Sequence, residues 1–231
     1  MSVLAAMDGR RHLRWLAGPL LAVCVAAILV VYALYIEATA RSILRDVSKL
    51  RVGQSSVADI KAIAASHRNF LSDYRCDAQK CFASFEVYNT WLHRLRLEPI
   101  ARFRADVGSD NGKVDFIRIV LERDTRAFPT SPSAGMTEEY LTAPEIYADR
   151  GPYWFPTPVG KPYLRVALTA EATPQQRQHA YDYSLRCLTK PGRGCDLPCD
   201  YLPVAWHDWE AQSEQEGFSF GSYYPARGRC R

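Results

Sequence analysis

The sequence predicts an α+β protein: one N-terminal transmembrane helix, then a small antiparallel sheet packed by two helices and stapled by disulfides. Three observations predict it. Residues 16–36 (LAGPLLAVCVAAILVVYALYI) carry no charged side chain. Further along, short stretches of alternating apolar and polar residues flank turn signals such as Asn111-Gly112. All cysteines but Cys24 fall after the apolar run, at Cys76, Cys81, Cys187, Cys195, Cys199 and Cys230, and an even set of this kind reads as a disulfide framework.

As a helix the apolar run is about 31 Å long, which matches a hydrocarbon core of roughly 30 Å. In lipid a lone span must satisfy its own backbone hydrogen bonds, so it is helical. Pro19 falls in the first turn, where a missing N–H costs little. Trp15 at one end and Tyr32 and Tyr35 near the other suit the two interfaces. Ala38-Thr39-Ala40 fits a cleavage site, but the run exceeds the about 7–15 residues of a secretory h-region. Leu21-Ala22-Val23-Cys24 resembles a lipobox, with bulky Val23 where a small residue is wanted. A retained signal-anchor is the favoured reading. Basic residues flank the span on both sides, Arg10, Arg11 and Arg14 against Arg41, Arg45, Lys49 and Arg51, so charge alone does not orient it. The cysteines do, since disulfides belong in an oxidising compartment. The expected layout is a cytoplasmic tail at 1–15, the span at 16–36, a helical stalk at 37–52 and an extracytoplasmic domain at 53–231. The expected location is the plasma (inner) membrane, single-pass, with the domain in the periplasm.

In the stalk, Ala40, Ile43, Leu44, Val47 and Leu50 recur at helical spacing, with Arg41, Arg45 and Lys49 on another face. Gly53 ends it. Ser56-Val57-Ala58-Asp59 is a capping box that opens a helix to about His67, whose ring suits the helix C-terminus. Cys76 and Cys81 are spaced for a local disulfide closing a small loop. Residues 81–88 alternate, with Ala83, Phe85 and Val87 against Ser84 and Glu86, and predict a strand. Residues 91–97 alternate too, with Leu95 and Leu97 opposite Arg94 and Arg96, until Pro99 breaks the pattern. Ala101, Phe103, Ala105 and Val107 then alternate with Arg102, Arg104 and Asp106. The turn Ser109-Asp110-Asn111-Gly112 returns the chain into a more hydrophobic strand at 114–121, expected to be central. Residues 123–162 read as a long proline-rich loop whose aromatics cover a core edge or bind a ligand. A short strand is expected at 163–169. Thr173-Pro174-Gln175-Gln176 starts a helix that is expected to run to about Leu188. Cys187 is placed to pair with Cys195, and Cys199 with Cys230.

Arg94, Arg96, Arg102 and Arg104 are expected on one sheet face. Guanidinium forks suit phosphate or carboxylate groups, so this face is the candidate surface for an anionic polymer, a lipid or an envelope protein. The plainer reading is a solvated outer face. Gly217-Phe218-Ser219-Phe220-Gly221 matches the nucleophile-elbow pattern, but no His, Asp or Glu follows Ser219, so it is accidental. His207, Asp208 and Glu210 have catalytic and ligand residue types without a recognised spacing, and with Trp206 and Trp209 they read better as an amphipathic segment. Zinc held by Cys187, Cys195, Cys199 and His207 is the alternative to disulfides there, without C-x-x-C spacing to support it. No metal, cofactor or catalytic set is expected. A net charge of +4 and a pI near 8.7 suit an anionic surface but not a nucleic-acid partner.

Leu50-Arg51-Val52-Gly53-Gln54-Ser55-Ser56-Val57-Ala58-Asp59-Ile60, followed by strands, resembles the helix opening of SmpA/OmlA-type outer-membrane assembly lipoproteins. The run from Gly53 through the arginine strands to Cys187 and Cys195 also resembles uncharacterised bacterial membrane-anchored envelope proteins. These resemblances imply a fold and carry no functional residue over. The expected function is a membrane-anchored binding or scaffolding module of the bacterial envelope. The alternatives are a periplasmic hydrolase using His207, Asp208 or Glu210, or a structural subunit of a membrane complex.

Overall fold

The computed structural model describes residues 5–123, 133–139, 163–170, 172–190, 195 and 197–215. The chain divides into two units, Met1–Tyr35 and Ile36–Arg231. The first is helical from Ala5, as the start of helix α1 (Ala5–Val47). Within α1, Gly18–Val47 is long and apolar enough to cross a bilayer. Leu20, Leu21, Ile28 and Val31 are exposed, as a lipid-facing surface would be. Pro19 leaves the helix unbroken.

The second unit is built on a six-stranded sheet in the sequential order β1 (Leu71–Cys76), β2 (Cys81–Tyr88), β3 (Ala101–Asp110), β4 (Lys113–Arg123), β5 (Ser133–Glu139) and β6 (Tyr163–Thr169). Neighbours are antiparallel except β5 and β6, which run parallel. The sheet is therefore mostly antiparallel rather than wholly so. Strand β5 falls inside the stretch expected to be loop; the other residues of that stretch lie outside the described residues, apart from Arg123, which closes β4. Alternation sorts the strands into two faces. Phe85, Phe103, Ile117, Ile119, Leu121 and Met136 are fully buried on one of them. The β3–β4 hairpin turns on Asn111 and Gly112, with φ of 52° and 81°, the paired left-handed geometry that Asn-Gly favours.

Two expectations are corrected. Residues 91–97 are not a strand: helix α3 (Thr90–Arg94) occupies their first part. Leu95 and Leu97 are half exposed, so their alternation marks no buried face. Asn89 explains how the sheet tolerates this excursion. Its buried side chain donates to the Pro99 carbonyl (2.9 Å) and accepts from the Ala101 N–H (2.8 Å), which pins both ends of the insertion. The helix expected from Thr173 to Leu188 is also shorter. Helix α4 (Pro174–Ala180) starts on the expected capping box, with Gln176 N–H on Thr173 Oγ1 (3.2 Å) and Thr173 N–H on Gln176 Oε1 (2.9 Å). It ends at Ala180. Beyond it the chain is drawn onto the sheet by Tyr183, whose hydroxyl donates to the Ile119 carbonyl (3.0 Å), and a separate 3-10 turn covers Leu185–Leu188.

Helix α2 (Val57–Ser66) opens where expected, with the Ser56 N–H and hydroxyl both on Asp59 Oδ2 (2.7 and 2.9 Å). Those two bonds hold the Asp59 carboxyl below its usual range. Helix α5 (Pro203–Gln215) carries the segment around Trp206. Cys76 is bonded to Cys81 and Cys187 to Cys195. Cys199 is also disulfide-bonded, and Cys230, its expected partner, lies outside the described residues.

The segment read as a stalk is helical to Val47, and the same apolar stripe is buried: Ala40, Ile43 and Val47 have no exposure and Leu44 and Leu50 little. From Ile36 onward, α1 is thus part of the second unit. Arg177 of α4 holds its end, donating to the carbonyls of Ser48 (3.3 Å) and Leu50 (2.8 Å) while pairing with buried Glu138 of β5. The Tyr181 hydroxyl donates to the other Glu138 oxygen (3.2 Å), and burial followed by the Glu138 charge pushes its phenol far above the ordinary value. Removing one member strands the other charge in the interior. Arg177→Met should cost about 3–5 kcal/mol, and adding Glu138→Leu should restore most of it. Equilibrium unfolding of the full chain in detergent checks this; equal stability of the single and double variants contradicts it.

Candidate functional site

The sheet face opposite the core is polar at its centre. Alternation places Ser84, Glu86 and Tyr88 of β2, Arg102, Arg104 and Asp106 of β3, and Arg118 and Glu122 of β4 on it. Of the four arginines expected to share a face, only Arg102 and Arg104 are on the sheet. Arg94 is on α3, with its guanidinium 5.5 Å from the Trp91 ring centroid, and Arg96 sits just past that helix with a positive φ of 57°. The helix in place of a strand is the cause.

Arg102 and Arg104 are already matched by carboxylates. Arg104 Nε reaches both oxygens of Asp106 (2.8 and 3.0 Å), and its Nη1 lies 3.6 Å from Glu86. Arg102 pairs with Glu122 and approaches Glu86 at 3.8 Å. The Ser84 hydroxyl donates to Asp106 (2.7 Å) and the Tyr88 hydroxyl to Glu86 (2.6 Å). The Asp106 bond, chiefly, strengthens the hold of Arg104 on its proton. Burial and Glu86 push the Tyr88 phenol upward. This is a ladder of alternating charge, not a bare cationic strip.

Beside this ladder, at the end of the sheet where the β1–β2 and β3–β4 turns meet, is a recess of about 470 Å³. Its apolar lining is Phe82 and Phe116, with ring centroids 6.3 Å apart. Gly108 lets the Phe116 ring lie across the strand: a Cβ there would stand 2.0 Å from that ring. The disulfide Cys76–Cys81 forms part of the wall, and Arg75, Asp77, Lys80 and Asp115 bring charge to it. Asp77 Oδ1 accepts from the N–H groups of Gln79 (2.7 Å) and Lys80 (2.6 Å), which fixes the turn and keeps its carboxyl well ionised. Lys80 reaches Asp110 (3.1 Å) and Arg75 reaches Asp73 (3.0 Å). Asp115 differs. Its Oδ1 is buried with no hydrogen-bond partner, and burial, aided by Asp110 and Glu139, raises its carboxyl above the usual range. Such a recess can take a small flat or apolar group and offer it one acceptor. Sequence reasoning missed it; the available signal was Gly108 inside an otherwise regular strand.

Of the residues considered for hydrolysis, His207, Asp208 and Glu210 all fall on α5. His207 is exposed, and Asp208 accepts a contact from His179 Nδ1 of α4 at 2.6 Å. Neither lines the recess, and the side chain of Glu210 lies outside the described residues. Ser219 also lies outside them. The three cysteines proposed for zinc, Cys187, Cys195 and Cys199, are instead disulfide-bonded. Among the described residues no three His, Cys, Asp or Glu side chains gather as a metal site would require.

The class these features define is an α+β chain with one N-terminal apolar helix, a six-stranded, mostly antiparallel sheet and two disulfides, Cys76–Cys81 and Cys187–Cys195. The chain matches no protein-family profile, no curated protein and no solved structure.

Asp115 gives a pH test. Its carboxyl binds its proton more tightly folded than unfolded, so its contribution to stability is full below the ordinary carboxylate value and is lost as pH rises through the raised one. Asp115→Asn removes that loss. Thermal unfolding from about pH 4 to 7 should show the variant gaining on the parent as pH rises; parallel curves contradict it.

Proposed function

We propose that this chain is a membrane-anchored binding or scaffolding module of the bacterial envelope. Helix α1 is the anchor, and the sheet unit stands on the extracytoplasmic side. The observation that carries this reading is α1 itself. A single helix supplies an exposed apolar segment of bilayer length and then, from Ile36, a stripe of core residues. The disulfides support an oxidising compartment for the sheet unit.

Binding is assigned to the aromatic recess rather than to the arginines. Arg102 and Arg104 would have to release Asp106, Glu86 and Glu122 before meeting an anion from outside. The recess has open volume, two aromatic rings and a carboxyl group with an unused oxygen. Its ligand class is a small apolar or aromatic group, presented by an envelope polymer or peptide.

Alkaline carbonate extraction of membranes containing the full chain, followed by intact mass and thiol labelling without reductant, tests the proposal. The expected result is a chain that stays in the membrane pellet, keeps residues 1–40 and leaves Cys76, Cys81, Cys187 and Cys195 unlabelled. A soluble chain starting after Ala40, or free thiols at those four positions, overturns it.

A further inference from the structure

Strand β1 is an edge of the sheet, and no described strand lies beyond it. Its residues are largely exposed, with Tyr74 at 44%. An open edge is a row of unused N–H and C=O groups, and proteins commonly protect it with charge. Here the charges are ordered in a particular way. Asp73, Tyr74 and Arg75 read as acid, centre, base. Turned antiparallel against itself about Tyr74, this strand sets each Asp73 opposite the Arg75 of the other copy. We propose that β1 is a homodimer interface, with a second copy of this chain adding its own β1 antiparallel across a two-fold axis at Tyr74.

The hydrogen-bond phase of the hairpin agrees. The Asp77 N–H donates to the Lys80 carbonyl (2.8 Å), and β1 pairs Arg75 with Phe82 and Cys76 with Cys81. Alternation from the Asp77–Lys80 pair makes Arg75–Phe82 the next hydrogen-bonded pair and turns the N–H and C=O of Tyr74 to the open edge. Tyr74 is thus the residue able to exchange two main-chain bonds with its own copy. The flanking Asp73 and Arg75 then fall at the closer, non-hydrogen-bonded positions, where cross-strand charge pairs interact best. Within one chain these two already touch, with Arg75 80% exposed on its side chain, so the pair can extend to a four-charge cluster without leaving a charge unmatched. The Cys76–Cys81 bond and the Asp77 turn hold the strand in its extended form beforehand, which lowers the ordering cost of pairing.

The interface does not rest on the anchoring proposal and is tested separately, with the full chain in detergent and native mass spectrometry as the readout. The parent should show a dimer. Asp73→Arg alone and Arg75→Asp alone each place like charges opposite one another and should weaken it roughly tenfold or more. A mixture of the two single variants should restore it as a heterodimer, because each chain then carries the charges that the other lacks. Tyr74→Pro removes the outward N–H while leaving the inner ladder of the hairpin, and should abolish the dimer with the Cys76–Cys81 bond intact. A parent that is monomeric throughout, a dimer that survives Tyr74→Pro, or a mixture no more dimeric than its components overturns the proposal. A monomer that instead binds an added extended peptide along β1 assigns the edge to another occupant and overturns it equally.

Discussion

Arg177 and Glu138 form an ion pair inside the protein, and each is placed by a different part of the chain. Glu138 comes from β5, on the face of the sheet that holds the core, and Arg177 from the first turns of α4. The guanidinium also bonds the carbonyls of Ser48 and Leu50, just past the C-terminus of α1, where a helix leaves its acceptors unsatisfied and a cation is favoured. One side chain therefore ties together the helix that enters the unit, the sheet and the helix that covers it. Two buried charges are costly unless every lone pair is used. Glu138 has a partner on each oxygen, Arg177 on one and Tyr181 on the other. A second buried pair, Arg123 with Glu98, closes the far end of β4, where Arg123 also donates to the Lys190 carbonyl (3.2 Å). The two buried pairs thus join β5 to α4 and the end of β4 to the residues at 98 and 190.

This placement changes what the amphipathic stripe after the apolar run means. Ala40, Ile43, Leu44 and Val47 are the residues of a connector if they face solvent and the residues of a core if they do not. Their burial makes the end of α1, from Ile36 to Val47, a structural member of the second unit. Asp46 on the same helix meets His67 Nε2 at 2.9 Å, and His67 packs edge-on against Phe85 of β2. A histidine expected to serve the end of α2 therefore joins that helix to α1 as well.

Much of this was legible in local sequence, and the failures have physical causes. Asn111-Gly112 declared its turn because few residues tolerate successive positive φ angles. Thr173 to Gln176 declared a helix start because both partners of a capping box are only three residues apart. The alternation of 101–107 survived because one face of β3 is buried. Local pattern failed wherever a distant group decided the outcome. The α3 excursion depends on Asn89 bridging to Pro99 and Ala101. Strand β5 (SAGMTEE) looks too polar for a sheet interior, because the Arg177 that neutralises Glu138 is remote in sequence. The arginine face dissolved for the same reason: strand register brings Glu86 of β2 opposite Arg104 and Glu122 of β4 opposite Arg102. The recess had only Gly108 to announce it.

From Ile36 to Val47, α1 belongs to the folded core and is not a free-standing connector. Hydrogen exchange on the full chain in detergent tests it most directly, residue by residue. The amides of residues 40–47 should exchange as slowly as those of β3 and β4 and lose protection together with those strands as denaturant is added. Amides in this segment that exchange independently of the sheet, at a free energy well below that of global unfolding, would contradict it.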